Sequence, residues 1–167
     1  MPLDLSRLVS PRKPWLHRLV AGASETYDAL RGLEAAAPDR LAARVVRARK
    51  ATTKAALLDE FAAALQFPPH FGANWDAFAD CLADLSWLGA GMAVIAILDG
   101  HHLLEADSAD ELERFRHIAV EAARWINAPD RARDPKGLHV VFQTDPAHAA
   151  VAAVRWHAAG LKLADLG

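Results

Sequence analysis

Two short apolar runs stand out along the chain. Residues 91–100, "GMAVIAILDG", are continuous and bounded by glycines; residues 137–145, "GLHVVFQTD", are similar and β-branched at the centre. Continuous apolar runs of this length, separated by helical patterns, predict parallel strands buried on both faces. A weaker third candidate is "LAARVVRA" at residues 41–48. Between them the period changes to that of a helix. Residues 52–67 place Leu57 or Leu58, Phe61 and Leu65 on one face, with Thr52 or Thr53 as the N-cap and Pro68-Pro69 as the stop. A second helix is predicted from Asn74, its N-cap, to about Trp87. A third, "SADELERFRHIAVEAARWI", keeps Leu112, Phe115, Ala119, Ala122 and Ile126 in phase and opens on a capping-box pair, Ser108 and Glu111. Residues 145–163 predict a terminal helix closed by Gly160. From residue 41 the order is β-α-α-β-α-β-α. Residues 1–40 read as an N-terminal extension: "WLHRLVA" as a short strand or arm, then "ASETYDALRGLEAAA" as a helix. There is no internal repeat, and "NAPDRARDPKG" is a polar loop entering the last predicted strand.

The second helix carries an unusual stripe. At about 100° per residue, Trp75, Phe78, Leu82 and Leu85 fall within roughly 80° of one another and form a core face, with Cys81 beside it. Asp76, Asp80 and Asp84 fall on nearly the opposite side, flanked by Ala79 and Ala83. Like charges four apart repel by a few tenths of a kcal/mol per pair. The helix dipole compensates Asp76 at the N-terminus, not the two that follow. Acids on an open ridge lack the enclosure that tunes a catalytic carboxyl pair. The pattern instead fits a surface awaiting a cation.

Charge along the chain sharpens that reading. The formal net charge is only −2, yet residues 55–113 contain no Lys or Arg and 11 acids; the segments on either side are both net basic. A one-sign surface of this kind raises the local concentration of a basic partner. Apolar residues make up 53% of the 167, enough for one folded domain. A single cysteine, Cys81, excludes an internal disulfide, and aspartates on both sides disfavour its thiolate. The N-terminus has no apolar signal-like run, and "MAVIAIL" is too short to span a bilayer, so a cytoplasmic protein is expected. There is no Walker loop, no Gly-x-Gly-x-x-Gly and no Gly-x-Ser-x-Gly elbow. Neighbouring His101 and His102 diverge and make poor co-ligands, so no metal site and no cofactor is expected. Scattered arginines around an acidic middle argue against direct binding of nucleic acid.

Residues 67–88, "FPPHFGANWDAFADCLADLSWL", resemble the signature of the barstar family, intracellular inhibitors of barnase-like ribonucleases. Nine motif positions fall within fourteen residues: Pro69, Phe71, Gly72, Asn74, Trp75, Asp76, Asp80, Cys81 and Leu82. The resemblance extends more loosely over residues 41–143. It implies an α/β fold with a three-stranded parallel sheet and about four helices, spanning residues 41–167 with an extra C-terminal helix, after the extension at 1–40. It implies a protein that is not an enzyme and that binds a basic ribonuclease 1:1, its acidic helix lying where substrate phosphates lie. The expected partner-binding set is His70, Phe71, Gly72, Asn74, Asp76, Ala79, Asp80 and Glu121 by position in the family, with Asp80 dominant, and Asp84, beyond the motif, by its place on the acidic stripe. The chain departs from the family at His70, where a tyrosine is usual, and at Ala79, where a tryptophan is usual. Two alternatives stand beside this one: an antitoxin or immunity protein for a different basic nuclease, and a small α/β hydrolytic enzyme using Asp99, His101 and His102.

Overall fold

The computed structural model describes residues 2–167. Its elements run β1 (Leu16–Val20), α1 (Ala23–Ala36), β2 (Leu41–Arg47), α2 (Lys54–Leu65), α3 (Trp75–Asp84), β3 (Met92–Leu98), α4 (Ala109–Ile126), β4 (Gly137–Thr144), α5 (Ala149–Ala158) and β5 (Ala164–Asp165), with short 3-10 turns between them. The strands form one sheet in the order β2-β3-β4-β1-β5, and every pairing is parallel. The three strands expected from the apolar runs are adjacent, with Leu41 opposite Met92 and Met92 opposite Gly137.

The sheet has five strands, not three, and the reason lies in its two apolar faces. All eight residues of β4 and the first six of β3 are buried. One face packs on α2, α3, α4 and α5 through Phe61, Phe78, Phe115 and Trp156. The other carries Leu41, Ala43, Met92, Val94, Ala96 and Val141, which water would reach unless something covered them. Residues from the first forty do so: Leu5, Leu8, Leu19 and Leu30 complete that second cluster. Strand β1 also takes the edge of β4, with Leu16 opposite Val140. The segment read as an extension is thus built into the sheet and its second helical layer.

Caps confirm part of the local reading. The Thr53 side chain accepts from the Ala56 amide, and a left-handed Gln66 ends α2 before the two prolines. Gly160, at φ +77, closes α5, with the Leu161 amide donating back to the Trp156 carbonyl. The capping box is not formed. Ser108 makes no side-chain cap bond, and the Glu111 carboxylate instead accepts from the Trp75 indole at 2.7 Å. A buried indole N–H requires a partner, and this bond ties the start of α3 to the start of α4. At the far end of α4, the buried Asn127 amide donates to the carbonyls of Ala123 and Leu138 and accepts from the Leu138 amide, fixing α4 against β4.

Candidate functional site

Helix α3 is seated by its aromatic side. Trp75 and Leu82 are buried and Phe78 is fully so; Phe78 meets Phe61 edge-on at 5.1 Å. That face fixes the rotation of the helix and leaves Asp76 and Asp80 exposed. Neither forms an ion pair among the described residues. The loop leading in is pinned at both ends. The half-buried Phe71 packs on Phe67 with ring centroids 5.0 Å apart. The Asn74 side chain accepts from the Ala77 amide at 2.8 Å and donates to the Gly72 carbonyl at 3.2 Å. A Cβ on Gly72 would meet the Asn74 amide nitrogen at 3.2 Å, so the turn is tight as well as capped. His70 is exposed at its start. Replacing Asn74 with alanine is expected to remove about 1 kcal/mol of stability, the usual worth of an N-cap. Asn74→Ser should restore most of it, as read from urea midpoints. This separates the residue's work as a cap from any work at an interface.

Asp84 differs from the other two. It is half-buried, its carboxylate lies 3.4 Å from the Arg133 guanidinium, and its carbonyl accepts from Arg131. The polar loop before β4 thus folds back over the C-terminal end of α3. Arginines from the basic flanks also neutralise Glu60, through Arg47, and Asp99, through Arg49. The acidic window is therefore not bare throughout, and its free charge on α3 is Asp76 and Asp80. Cys81 is half-buried; burial first, then Asp80 and Asp84, push its thiol up, so it stays protonated at neutral pH.

Between α3 and α4 runs a groove of about 520 Å³. Asp80 lines it from α3 and Glu121 from α4, which brings together two residues the sequence placed forty positions apart. Ala79 and Ala83 form its floor on the α3 side, and His117 and Trp125 line it on α4. Glu121 is paired with Arg124 at 2.7 Å, and both are open to solvent. Trp125 is 66% exposed, although the rest of the apolar stripe of α4 is buried. Sequence reading missed His117 and Trp125. The available signal was a tryptophan out of phase with Leu112, Phe115, Ala119 and Ala122.

Residues 41–143, well over half of the chain, match the family described as Barstar (barnase inhibitor). The chain belongs to the barstar family. Its membership covers β2 through most of β4, including the capped loop and α3. No curated protein matches this barstar-family chain. Solved structures share its fold, among them these two. The ORC2 protein of Aeropyrum pernix, in complexes with ADPNP and ADP, is 13% identical with a TM-score of 0.61, over 97% of this chain and 44% of that one. Cdc6p from Pyrobaculum aerophilum is 17% identical with a TM-score of 0.57, over 96% of this chain and 41% of that one. The barstar-family chain thus spans less than half the length of either, and identities this low speak for the fold alone. Its own β1 reaches α1 through Ala21 and Gly22 only, with no lysine between Lys13 and Lys50. The glycine-rich turn and lysine of a phosphate-binding loop are not in that connection. No described helix is long and apolar enough to cross a membrane.

Proposed function

We propose that this chain binds a basic, barnase-like ribonuclease 1:1 and blocks its active site with the 70–74 loop and the exposed side of α3. The observation that carries the reading is the state of Asp76 and Asp80: two exposed carboxylates on a rigidly seated helix, with no cation among the described residues to hold them. A pair of this kind attracts a cationic cleft over distance and meets it without reorganising. Its effect on the association rate weakens as salt shortens the Debye length, about 8 Å at physiological ionic strength. Membership of a family of barnase inhibitors supports the same reading. Glu121 and Trp125 extend the surface across the groove, one with charge and one with the amphipathic area that interface anchors favour. Asp84, engaged by Arg133, is placed at the rim.

An immunity protein for a different basic nuclease would use the same residues, and only the partner separates the two. The enzymatic alternative gains nothing from the geometry, because the Asp99 carboxylate accepts from Arg49 at 2.8 Å and is not directed to His101. The test is inhibition of a panel of small guanyl-specific ribonucleases by the intact chain at several salt concentrations. The expected result is stoichiometric inhibition of at least one, with an association rate that falls as salt rises. His70→Tyr, which restores the residue usual in the family, should re-rank the panel without abolishing inhibition. Inhibition of none of them would move the reading to the different-nuclease alternative.

A further inference from the structure

The geometry points to a divalent metal site of the zinc class built from His101, Asp145 and His148, at the carboxyl ends of β3 and β4. One potential ligand atom from each of the three lies within 4.8 Å of the other two. The site shares no residue with the α3–α4 groove and goes beyond the inhibitor reading.

The chain builds it as follows. After β3, Asp99 takes a left-handed φ of 52° and Gly100–His102 form a short 3-10 turn. Gly100 lies so close to β4 that a Cβ there would meet the Gln143 carbonyl at 3.3 Å and Trp156 at 3.1 Å. That approach drives His101 inward until it is only 7% exposed. Its Nδ1 lies 3.0 Å from the Thr144 hydroxyl. With that nitrogen held, the other, Nε2, is buried and without a hydrogen-bond partner. The tautomer that places the proton on Nδ1 presents Nε2 as a lone pair. A ring fixed through one nitrogen by a hydrogen bond, with the other bare, is how histidines are presented to metals.

Asp145 and His148 supply the solvent side. They lie three residues apart at the start of α5, with His148 Nδ1 2.8 Å from the Asp145 carboxylate and side chains 49% and 30% exposed for His148 and Asp145 respectively. The His148 ring stacks on His101 with centroids 4.3 Å apart and planes inclined by 6°. Donors around tetrahedral zinc lie about 3.3 Å apart, given bonds near 2.0–2.1 Å. Closure therefore asks the ligand set to contract by about 1.5 Å. It also asks His148 to turn out of the stack, because parallel rings send their lone pairs side by side. The exposed His148 side chain can make that movement while His101 stays fixed, and the half-buried Asp145 carboxylate would exchange its bond to the His148 ring for the ion. The Asp145–His148 bond alone is explained as a helix start. It leaves unexplained a buried imidazole nitrogen facing no donor. Two imidazoles and a carboxylate suit zinc better than calcium or magnesium, which prefer oxygen donors. Three protein ligands leave one position for water. His102 is not in the set: among the described residues only His101, Asp145 and His148 bring ligand atoms together, and the His102 ring turns to Glu105. An ion here would staple the exit of β3 to the entry of α5.

The test uses the full chain freed of metal with a chelator and titrated with zinc chloride and, separately, cobalt(II). The expected result is one ion per chain, the intense visible bands of four-coordinate cobalt(II), and a thermal midpoint that rises with zinc. His148 is exposed and Asp145 half-buried, outside the apolar core, so His148→Ala and Asp145→Asn leave the core intact; each should weaken zinc binding at least tenfold and abolish the midpoint shift. His102→Ala should change neither. Zinc affinity equal in wild type, His148→Ala and Asp145→Asn, or no zinc-dependent midpoint shift in the wild type, overturns the site. None of these readouts depends on ribonuclease inhibition.

Discussion

Asp80→Ala is expected to weaken binding to the target ribonuclease by at least about 2 kcal/mol, or about 30-fold in Kd. The same change should leave stability within about 0.5 kcal/mol. The two halves of this result have one cause. Asp80 is exposed on the side of α3 away from Phe78 and Leu82, and no ion pair among the described residues engages it, so the fold loses nothing with it. In a complex, losing the same carboxylate, which lines the groove with Glu121, would leave a desolvated cation of the partner unpaired. The loss should fall mainly on dissociation, with a smaller change in association that disappears at high salt. Asp84→Ala should cost less, because Arg133 already holds that carboxylate. Titration calorimetry at two salt concentrations, with urea unfolding of the free variants, reads both halves. Equal losses for Asp80 and Asp84 would remove the distinction drawn between them.

Acid is expected to destabilise this protein well above the range where carboxylates titrate. His17 on β1 and His139 on β4 are fully buried, with His17 Nε2 2.9 Å from His139 Nδ1. His139 Nε2 is 2.6 Å from the Ser10 carbonyl, which only accepts, so Nε2 carries the proton. His139 Nδ1 must then accept from His17, and His17 Nδ1 is left bare with no hydrogen-bond partner. Protonating His17 would bury a charge with nothing to receive its new hydrogen. Burial first, then His139 and Arg7, push its pKa down to about 4, and burial depresses His139 too. The unfolded chain takes up these protons near pH 6.5 while the native state refuses them, so stability is full above that pH and falls as pH drops towards 4. For His17 alone, a displacement from 6.5 to about 4 corresponds to about 3 kcal/mol. Carboxylates held low by partners, such as Glu60 beside Arg47, begin to act only at the lower end of that window and below it, as the unfolded chain's carboxylates take up protons. His17→Gln keeps a donor for His139 and removes the titrating ring, so the slope of stability between pH 6.5 and 4 should flatten. An unchanged slope would show that the pair does not control it.

The same pair explains why part of the fold was hard to read. Strands β3 and β4 announce themselves because a strand covered on both faces must be apolar throughout. Strand β1, "LHRLV", is five residues with a histidine and an arginine, and its histidine is acceptable only because His139 meets it across the sheet. No local pattern records such a match. The Thr53 and Asn74 caps were legible because a cap bonds to its own helix. The Ser108–Glu111 box failed because a tertiary partner, the Trp75 indole, claimed the glutamate. At the candidate site, helical phase was enough to expose Asp76 and Asp80, but the arginine over Asp84 arrives from a loop nearly fifty residues away.

The place of β1 between β4 and β5 has a consequence for synthesis on the ribosome. The strand that emerges first has neighbours that emerge last, with His17 and His139 separated by 122 residues. While β2 and β3 pair on the nascent chain, β1 has no sheet edge to join and α1 has only part of its sheet face to cover. The apolar side of the N-terminal segment therefore stays open to chaperones until β4 has been made. Its insertion is the step that closes the sheet, as expected of a topology dominated by distant pairings.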